Sequence, residues 1–240
     1  MIADVLVADR RACARAIAAD VRAEFERAAA GRSHFSMAVP GGSVAVHVFP
    51  AIAALDLDWA CVDVFWADER AVAPADAESN YKLAASLWLE PAGVPASSVH
   101  RMPADGPDLA SAAAAYETEL ARTLGARGRL DYLLLGAGPD GHVASLFPGH
   151  AALEESVRTV VVVEDAPKPP ARRLTLTMPV LVAARRVVVA AFGDEKAEML
   201  GEIRAHGESP LPVAQVLRRS PRPWLVADEA AGARLPAPRA

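Results

Sequence analysis

DYLLLGAGPDGHVASLFPGH, residues 131–150, is the stretch from which the fold can be read. Asp131 to Leu135 is an apolar run of strand length, and Gly136 and Gly138 end it in a sharp turn. A buried strand that leaves its sheet through a glycine turn toward a helix start is the unit from which α/β sheets are built, and ligands gather at the carboxyl ends of such strands. Asp140, Gly141 and His142 follow at once, so a carboxylate and an imidazole stand on the loop or first helical turn facing that crevice. Alone, the segment reads equally well as an ordinary strand-turn-helix joint with Asp140 as a helix cap and His142 on the surface. What surrounds it decides.

Similar joints recur on both sides. Residues 4–8 read as a strand, and Asp9 caps an alanine-rich helix over residues 10–30, with Ile17, Val21, Phe25 and Ala28 on its packed face and Gly31 at its end. His34 to Val39 runs into Pro40, Gly41, Gly42 and Ser43 before a helical stretch begins near Val44. Two glycines let backbone approach a ligand, and the free N–H groups of a helix start suit an anion such as phosphate. The spacing is nevertheless neither a Walker loop nor GxGxxG, and such turns also occur in loops that bind nothing. Cys61 to Ala67 is a further strand, ended by Asp68, Glu69 and Arg70, which read either as a solvated salt bridge or as site residues. Ser79 caps a helix carrying Tyr81 and Lys82, residues 91–108 are a connection with His100 exposed, and a helix covers residues 109–124.

Beyond the opening stretch, Thr159 to Val163 is a β-branched strand leading to the stiff segment Pro167 to Pro170, which carries Lys168. Arg172, Arg173, Thr175 and Thr177 then alternate with Leu174, Leu176 and Met178, so this loop either wraps the sheet edge or delivers cations to an anion. Val187 to Phe192 is a buried strand, followed by Gly193, Asp194, Glu195, Lys196 and a helix through His206. Lys196 in a first helical turn opposes the helix dipole and needs a compensating anion: Asp194, Glu195 or a bound phosphate. A short helix over Pro210 to Leu217, a strand over Pro223 to Val226, a cap at Asp228 and a frayed tail from about residue 232 complete the chain. The alternation predicts a doubly wound, mostly parallel α/β sheet flanked by helices, in a single domain over residues 1–240. In a parallel sheet the strand-end loops share one edge and can converge.

Composition excludes several classes. A net charge of −5 without a basic stripe argues against a nucleic-acid partner. No apolar run approaches the roughly 18 residues of a membrane span, and the N-terminus lacks the regions of a signal peptide, so a cytoplasmic location is expected. Cys13 and Cys61 are the only cysteines and are expected to be buried, inert thiols; the histidines are scattered and no HExxH occurs, so no metal is expected. No serine or cysteine sits in a nucleophile elbow, which leaves a histidine-activated water as the simpler chemistry.

The blocks PGGSVAV, VFWADERAVAPADAESNYKLA, DYLLLGAGPDGHVASLFPGH, APKPPARRLTLTMPVL and GDEKAEML resemble the 6-phosphogluconolactonase family, within the wider glucosamine-6-phosphate isomerase and lactonase superfamily. With PWLVADEAA the resemblance covers nearly the whole chain; GxGxDGHxASLFPGH and APKPPxxRxTLT are the specific motifs, the GGS turn is not. The resemblance implies a modified Rossmann-like domain that hydrolyses 6-phospho-D-glucono-1,5-lactone, a small sugar-phosphate lactone, in the oxidative pentose phosphate pathway, with no cofactor. It also implies His142 as base toward the attacking water with Asp140 beside it, Arg70 and Asp68 at the lactone, and Lys168 at the substrate rim. Gly41, Gly42, Ser43, Arg173 and Lys196 would then hold the phosphate. A monomer or weak homodimer is expected. The family's usual SGGSTP turn is PGGSVAV here, so phosphate contacts from this loop should be thinner and rest on Gly42 and Ser43. The rival glucosamine-6-phosphate deaminases follow DGH with an IAFNEP-like run that supplies an acid; this chain has VASLFP and no carboxylate until Glu154. Related transcription regulators carry an N-terminal helix-turn-helix, for which too few residues precede the GGS turn.

Overall fold

The computed structural model describes residues 4–31, 34–125, 129–205 and 208–235. In chain order its main elements are β1 (Val5–Ala8), α1 (Arg10–Ala29), β2 (Phe35–Val39), α2 (Gly42–Ala53), β3 (Val62–Trp66), β4 (Asp68–Arg70), α3 (Asn80–Ala84), β5 (Val99–His100), α4 (Leu109–Leu124) and β6 (Tyr132–Gly136). There follow β7 (Val160–Val163), β8 (Arg173–Leu176), α5 (Met178–Ala183), β9 (Arg186–Ala191), α6 (Ala197–Ala205), α7 (Pro212–Arg219) and β10 (Pro223–Asp228).

Seven strands form a parallel sheet in the order β1-β10-β9-β6-β2-β3-β5. Every residue of β2 and β9 is buried, as expected of apolar strands covered by helices on both faces. From β2 the chain winds outward to β3 and β5, then returns to β6 and winds the other way through β9 and β10. The winding therefore reverses between β2 and β6, which opens a crevice at the carboxyl ends of those two strands. The buried side chains form one hydrophobic cluster running from Cys13 to Ala231.

Several local expectations are corrected. Asp68 to Arg70 is not a solvated loop but β4, the edge of a second, antiparallel sheet ordered β4-β8-β7. Ala67 hands the chain from one sheet to the other: its N–H donates to the Val39 carbonyl, and its own carbonyl accepts from Leu176. The KPP loop thus reaches the crevice through this small sheet and not as a strand end of the parallel one. No helix starts after His142. Ala144 has a left-handed φ of 50°, and Val143 is bridged to Ala137 and Leu146, so residues 137–150 fold back as a packed loop.

His100 is buried, not exposed, and β5 interrupts what looked like a plain connection over residues 91–108. Cys13 is buried but Cys61 is half-buried, its thiol bonded to Asp58, which pushes the thiol pKa up. The tail is not frayed from residue 232: Ala231–Arg234 form a helical turn with Ala231 buried, while residues 236–240 lie outside those described. His206, expected at the end of α6, is also outside them. Among the described residues, no helix is long and apolar enough to cross a membrane.

Candidate active site

The crevice between β2 and β6 deepens into a cavity. Its lining includes Gly41, Gly42 and Ser43 after β2, Asp68 and Arg70 of β4, His142 after β6, Lys168 and Arg173 from the small sheet, and Lys196 after β9. All the candidate residues taken from the sequence are on its wall except Asp140, which stands behind His142.

His142 is held from three sides. Its Nδ1 meets Asp140 Oδ1 at 2.5 Å, its ring lies tilted on Phe147 with centroids 4.6 Å apart, and its carbonyl accepts from Gly138 N at 2.9 Å. A carboxylate can only accept, so Nδ1 carries the proton and Nε2 keeps its lone pair. Burial pushes the His142 pKa below the usual 6.5, against the opposing pull of the Asp140 carboxylate. The imidazole is therefore neutral at neutral pH. Gly138 makes this arrangement possible: a Cβ there would lie 2.1 Å from the His142 ring and 2.5 Å from Asp140 Oδ1.

The opposite wall is a network of buried polar groups. Asp68, 5% exposed, accepts from Ser145 Oγ at 2.7 Å and from Asn80 Nδ2 at 3.2 Å. Among the described residues Glu69 makes no salt bridge; its carboxylate accepts from the backbone N–H groups of Arg70, Asn80 and Tyr81, each at 2.8 Å, and from the Ser79 hydroxyl. Burial raises its pKa, and those N–H donors oppose the rise. Glu69 thus locks the return from β4 into α3, which Ser79 caps. Arg70 donates from Nη1 to the Glu78 carbonyl at 2.7 Å. Arg173 sits opposite Arg70 in the antiparallel register and donates from Nε to the Pro170 carbonyl and from Nη2 to the Lys168 carbonyl. Burial lowers the Arg173 pKa, Asp68 counteracts that, and Arg70 adds to it. Part of this guanidinium is therefore spent on holding the Lys168 loop.

On the other flank, Gly193 donates its N–H to Asp228, which also accepts from Arg10 and Ala231. This hub seats the turn that carries Lys196, whose Nζ lies 3.1 Å from Glu195 Oε1. Gly41 packs on Asn80, and Gly42 has a φ of 65°. The first N–H groups of α2, at the mouth of the cavity, have no side-chain cap. In the PGGSVAV departure, Val44 and Ala45 are buried, and Val44 packs on Gly136. Among the described residues no cluster of His, Cys, Asp or Glu has the geometry of a metal site.

Sequence reasoning missed Asn80, Ser145, Phe147 and Phe192. Asn80 was hidden behind the cap reading of Ser79, and Ser145 lies in an apolar run that gives no sign of where its hydroxyl goes. Phe192 lines the cavity with His47 against its edge, a contact between α2 and the end of β9 that no local pattern encodes.

Residues 8–224 match the family described as glucosamine-6-phosphate isomerases/6-phosphogluconolactonase. The chain belongs to this family. A member from Streptomyces coelicolor named 6-phosphogluconolactonase is 38% identical over 242 residues, covering 95% of this chain and 92% of that protein. The solved 6-phosphogluconolactonase from Trypanosoma cruzi superposes with a TM-score of 0.86 at 26% identity, covering 97% of this chain and 96% of the other. A monomeric glucosamine-6-phosphate deaminase superposes with a TM-score of 0.79 at 19% identity, covering 96% and 99%, and so shares the fold. The isomerase/lactonase scaffold is thus common to two chemistries, and the side chains of the cavity must separate them.

Proposed function

We propose that this chain is a 6-phosphogluconolactonase that hydrolyses 6-phospho-D-glucono-1,5-lactone to 6-phospho-D-gluconate. The observation that carries the reading is a neutral His142, oriented by Asp140, on the wall of a cavity lined by four cations, Arg70, Lys168, Arg173 and Lys196, and by the carboxylate of Asp68. Like charges directly opposite each other across antiparallel strands repel, so the Arg70 and Arg173 pair favours an anionic occupant. The names of the relatives support the same substrate.

In the proposed reaction His142 Nε2 takes a proton from water as its oxygen bonds to the lactone carbonyl carbon. Negative charge moves to the carbonyl oxygen, where Arg70 stabilises it. Collapse of the tetrahedral intermediate breaks the bond to the ring oxygen, which takes the proton back from the imidazolium. Asp140 keeps the imidazole in the required tautomer and balances its transient charge. Gly42, Ser43, the uncapped start of α2, Lys196 and the free donors of Arg173 hold the phosphate, and that remote binding orients the ring for attack. No step calls for a metal or cofactor. We further propose a single domain over residues 1–240, supported by the one core cluster, and a place in the oxidative pentose phosphate pathway in the cytoplasm, as a monomer or weak homodimer without nucleic-acid partners.

The alternative, a glucosamine-6-phosphate deaminase, lacks support at one point. The run after His142 is Val143 to Phe147, with Val143, Leu146 and Phe147 buried and no acid supplied to the cavity. A stopped assay of freshly made lactone against glucosamine 6-phosphate, with spontaneous hydrolysis subtracted, tests the choice. Turnover of the lactone alone is expected; ammonia release from the amino sugar, or no acceleration of lactone loss, refutes the proposal.

A further inference from the structure

The loop that carries His142 is hydrogen-bonded to the small sheet at Ser145, and two residues further on its Phe147 ring lies under the Arg173 guanidinium, 5.5 Å away. Ser145 is fully buried, and both its backbone and its side chain grip that sheet. Its N–H donates to Thr175 Oγ1 of β8 at 3.2 Å, and its hydroxyl donates to Asp68 Oδ2 of β4 at 2.7 Å. Thr175 and Asp68 are themselves directly opposite in the β4–β8 register. The same hydroxyl oxygen accepts from Arg173 Nη1 at 3.4 Å. A hydroxyl has one donor and two acceptor sites, so a single oxygen serves an anion and a cation that line the cavity, from a position three residues after His142. The second oxygen of Asp68 is held from the other side by Asn80, so the carboxylate is clamped between α3 and the histidine loop.

Packing alone does not require this. The neighbours of Ser145 in sequence, Ala144 and Leu146, are apolar, and an alanine at position 145 would fill the same space minus one oxygen. An alanine would, however, leave Asp68 Oδ2 without its short charge-assisted partner in a buried setting, where an unpaired polar group is costly.

We propose that Ser145 is a positioning residue for the reaction: its hydroxyl sets the Asp68 carboxylate relative to His142, while Arg173 keeps its place through the Pro170 and Lys168 carbonyls. The proposal rests on the lactonase reading above. Ser145 itself is not part of the cavity lining, so its effect on the reaction passes through Asp68.

The test compares wild type with Ser145→Ala and Ser145→Cys, the second keeping a weak donor of similar size. Wild-type turnover of the lactone is measured first, and its absence refutes the assigned reaction without bearing on Ser145. Given turnover, S145A is expected to lower kcat roughly 10- to 100-fold, as for reacting groups displaced by about an ångström. KM and the Kd for 6-phosphogluconate should stay within about twofold, the size of change expected when no substrate contact is lost, and S145C should fall between the other two. Independently of turnover, the crystal structure of S145A, or of S145C should the alanine variant not fold, should show the Asp68 carboxylate turned from its present place with the sheet unchanged. An unaltered kcat, a loss confined to KM, or an Asp68 carboxylate that has not moved overturns the proposal.

Discussion

His142 has its ring against Phe147 and its Nδ1 on Asp140, so one nitrogen remains for chemistry, and its burial decides at which pH that nitrogen is free. Burial lowers its pKa from 6.5. A base works unprotonated, so kcat/KM should rise with pH through a limb lying on the acid side of 6.5, and a limb well above that value contradicts the assignment. Replacing His142 by Ala should cost roughly 100- to 10,000-fold in kcat while 6-phosphogluconate still binds, as single-turnover kinetics and calorimetry would show. Asp140 pulls the His142 pKa upward, so Asp140→Asn should carry the limb further to acid and lower kcat by about tenfold or more, because the imidazolium loses its counter-charge. A limb displaced toward alkaline pH would exclude Asp140 as the orienting group.

At the scale of elements, β5 shows how a marginal edge strand is kept. It pairs with β3 at only two positions, Val64 with Val99 and Phe65 with His100. The ladder is then extended by a side chain: the Tyr116 hydroxyl of α4 accepts from Trp66 N and donates to the His100 carbonyl, each at 3.0 Å. Tyr116→Phe leaves two buried main-chain groups unpaired and should cost about 1–3 kcal/mol in urea unfolding; a smaller loss would mean that the strands re-pair without the hydroxyl. The His100 ring stacks on Phe65 and lies between Asp63 at 2.9 Å and Glu119 at 2.6 Å. Burial disfavours its protonation, but the two carboxylates outweigh that and raise its pKa above 6.5. Its stabilising contribution is therefore complete below 6.5 and is lost as pH rises through the raised value. The stability difference between wild type and His100→Gln should accordingly shrink above that range, and a difference that grows with pH contradicts the ion-pair reading. Sequence alone places His100 on an exposed connection, because its partners lie on β3 and α4, out of reach of any local pattern.

Across the whole molecule, the cavity draws on both halves of the winding. Lys196 comes from the β9 side, Arg70 and Arg173 from the small antiparallel sheet beyond β3, and the Gly41 and His142 loops from the point of reversal between them. A substrate spanning these groups should meet anchoring and chemistry at different places. Lys196→Ala is expected to raise KM for the phosphorylated lactone by about ten- to a hundredfold, the worth of one charge-assisted contact, and to leave hydrolysis of unphosphorylated glucono-1,5-lactone unaffected. A fall in kcat shared by both lactones would move Lys196 from anchoring into the reaction.

The strands β2, β3, β6, β9 and β10 were legible because a strand buried on both faces must be apolar along its length, and the glycine turns that end β2 and β6 are the local condition for bringing backbone to a ligand. The charged residues of the cavity wall were legible for the same reason, since each follows a recognisable strand or sits in a specific motif, whereas Asn80 and Phe192 on the same wall were not. What tertiary structure alone decided is how charged side chains are partnered. Asp68 to Arg70 became a strand because β8, a hundred residues later, offered a ladder, and Glu69 became an internal cap rather than half of a salt bridge. Hydrophobic burial is written in local periodicity, so the sequence determined the sheet and the loops at its carboxyl edge; a buried hydrogen bond needs a partner at one distance and angle, and only the assembled chain supplies it.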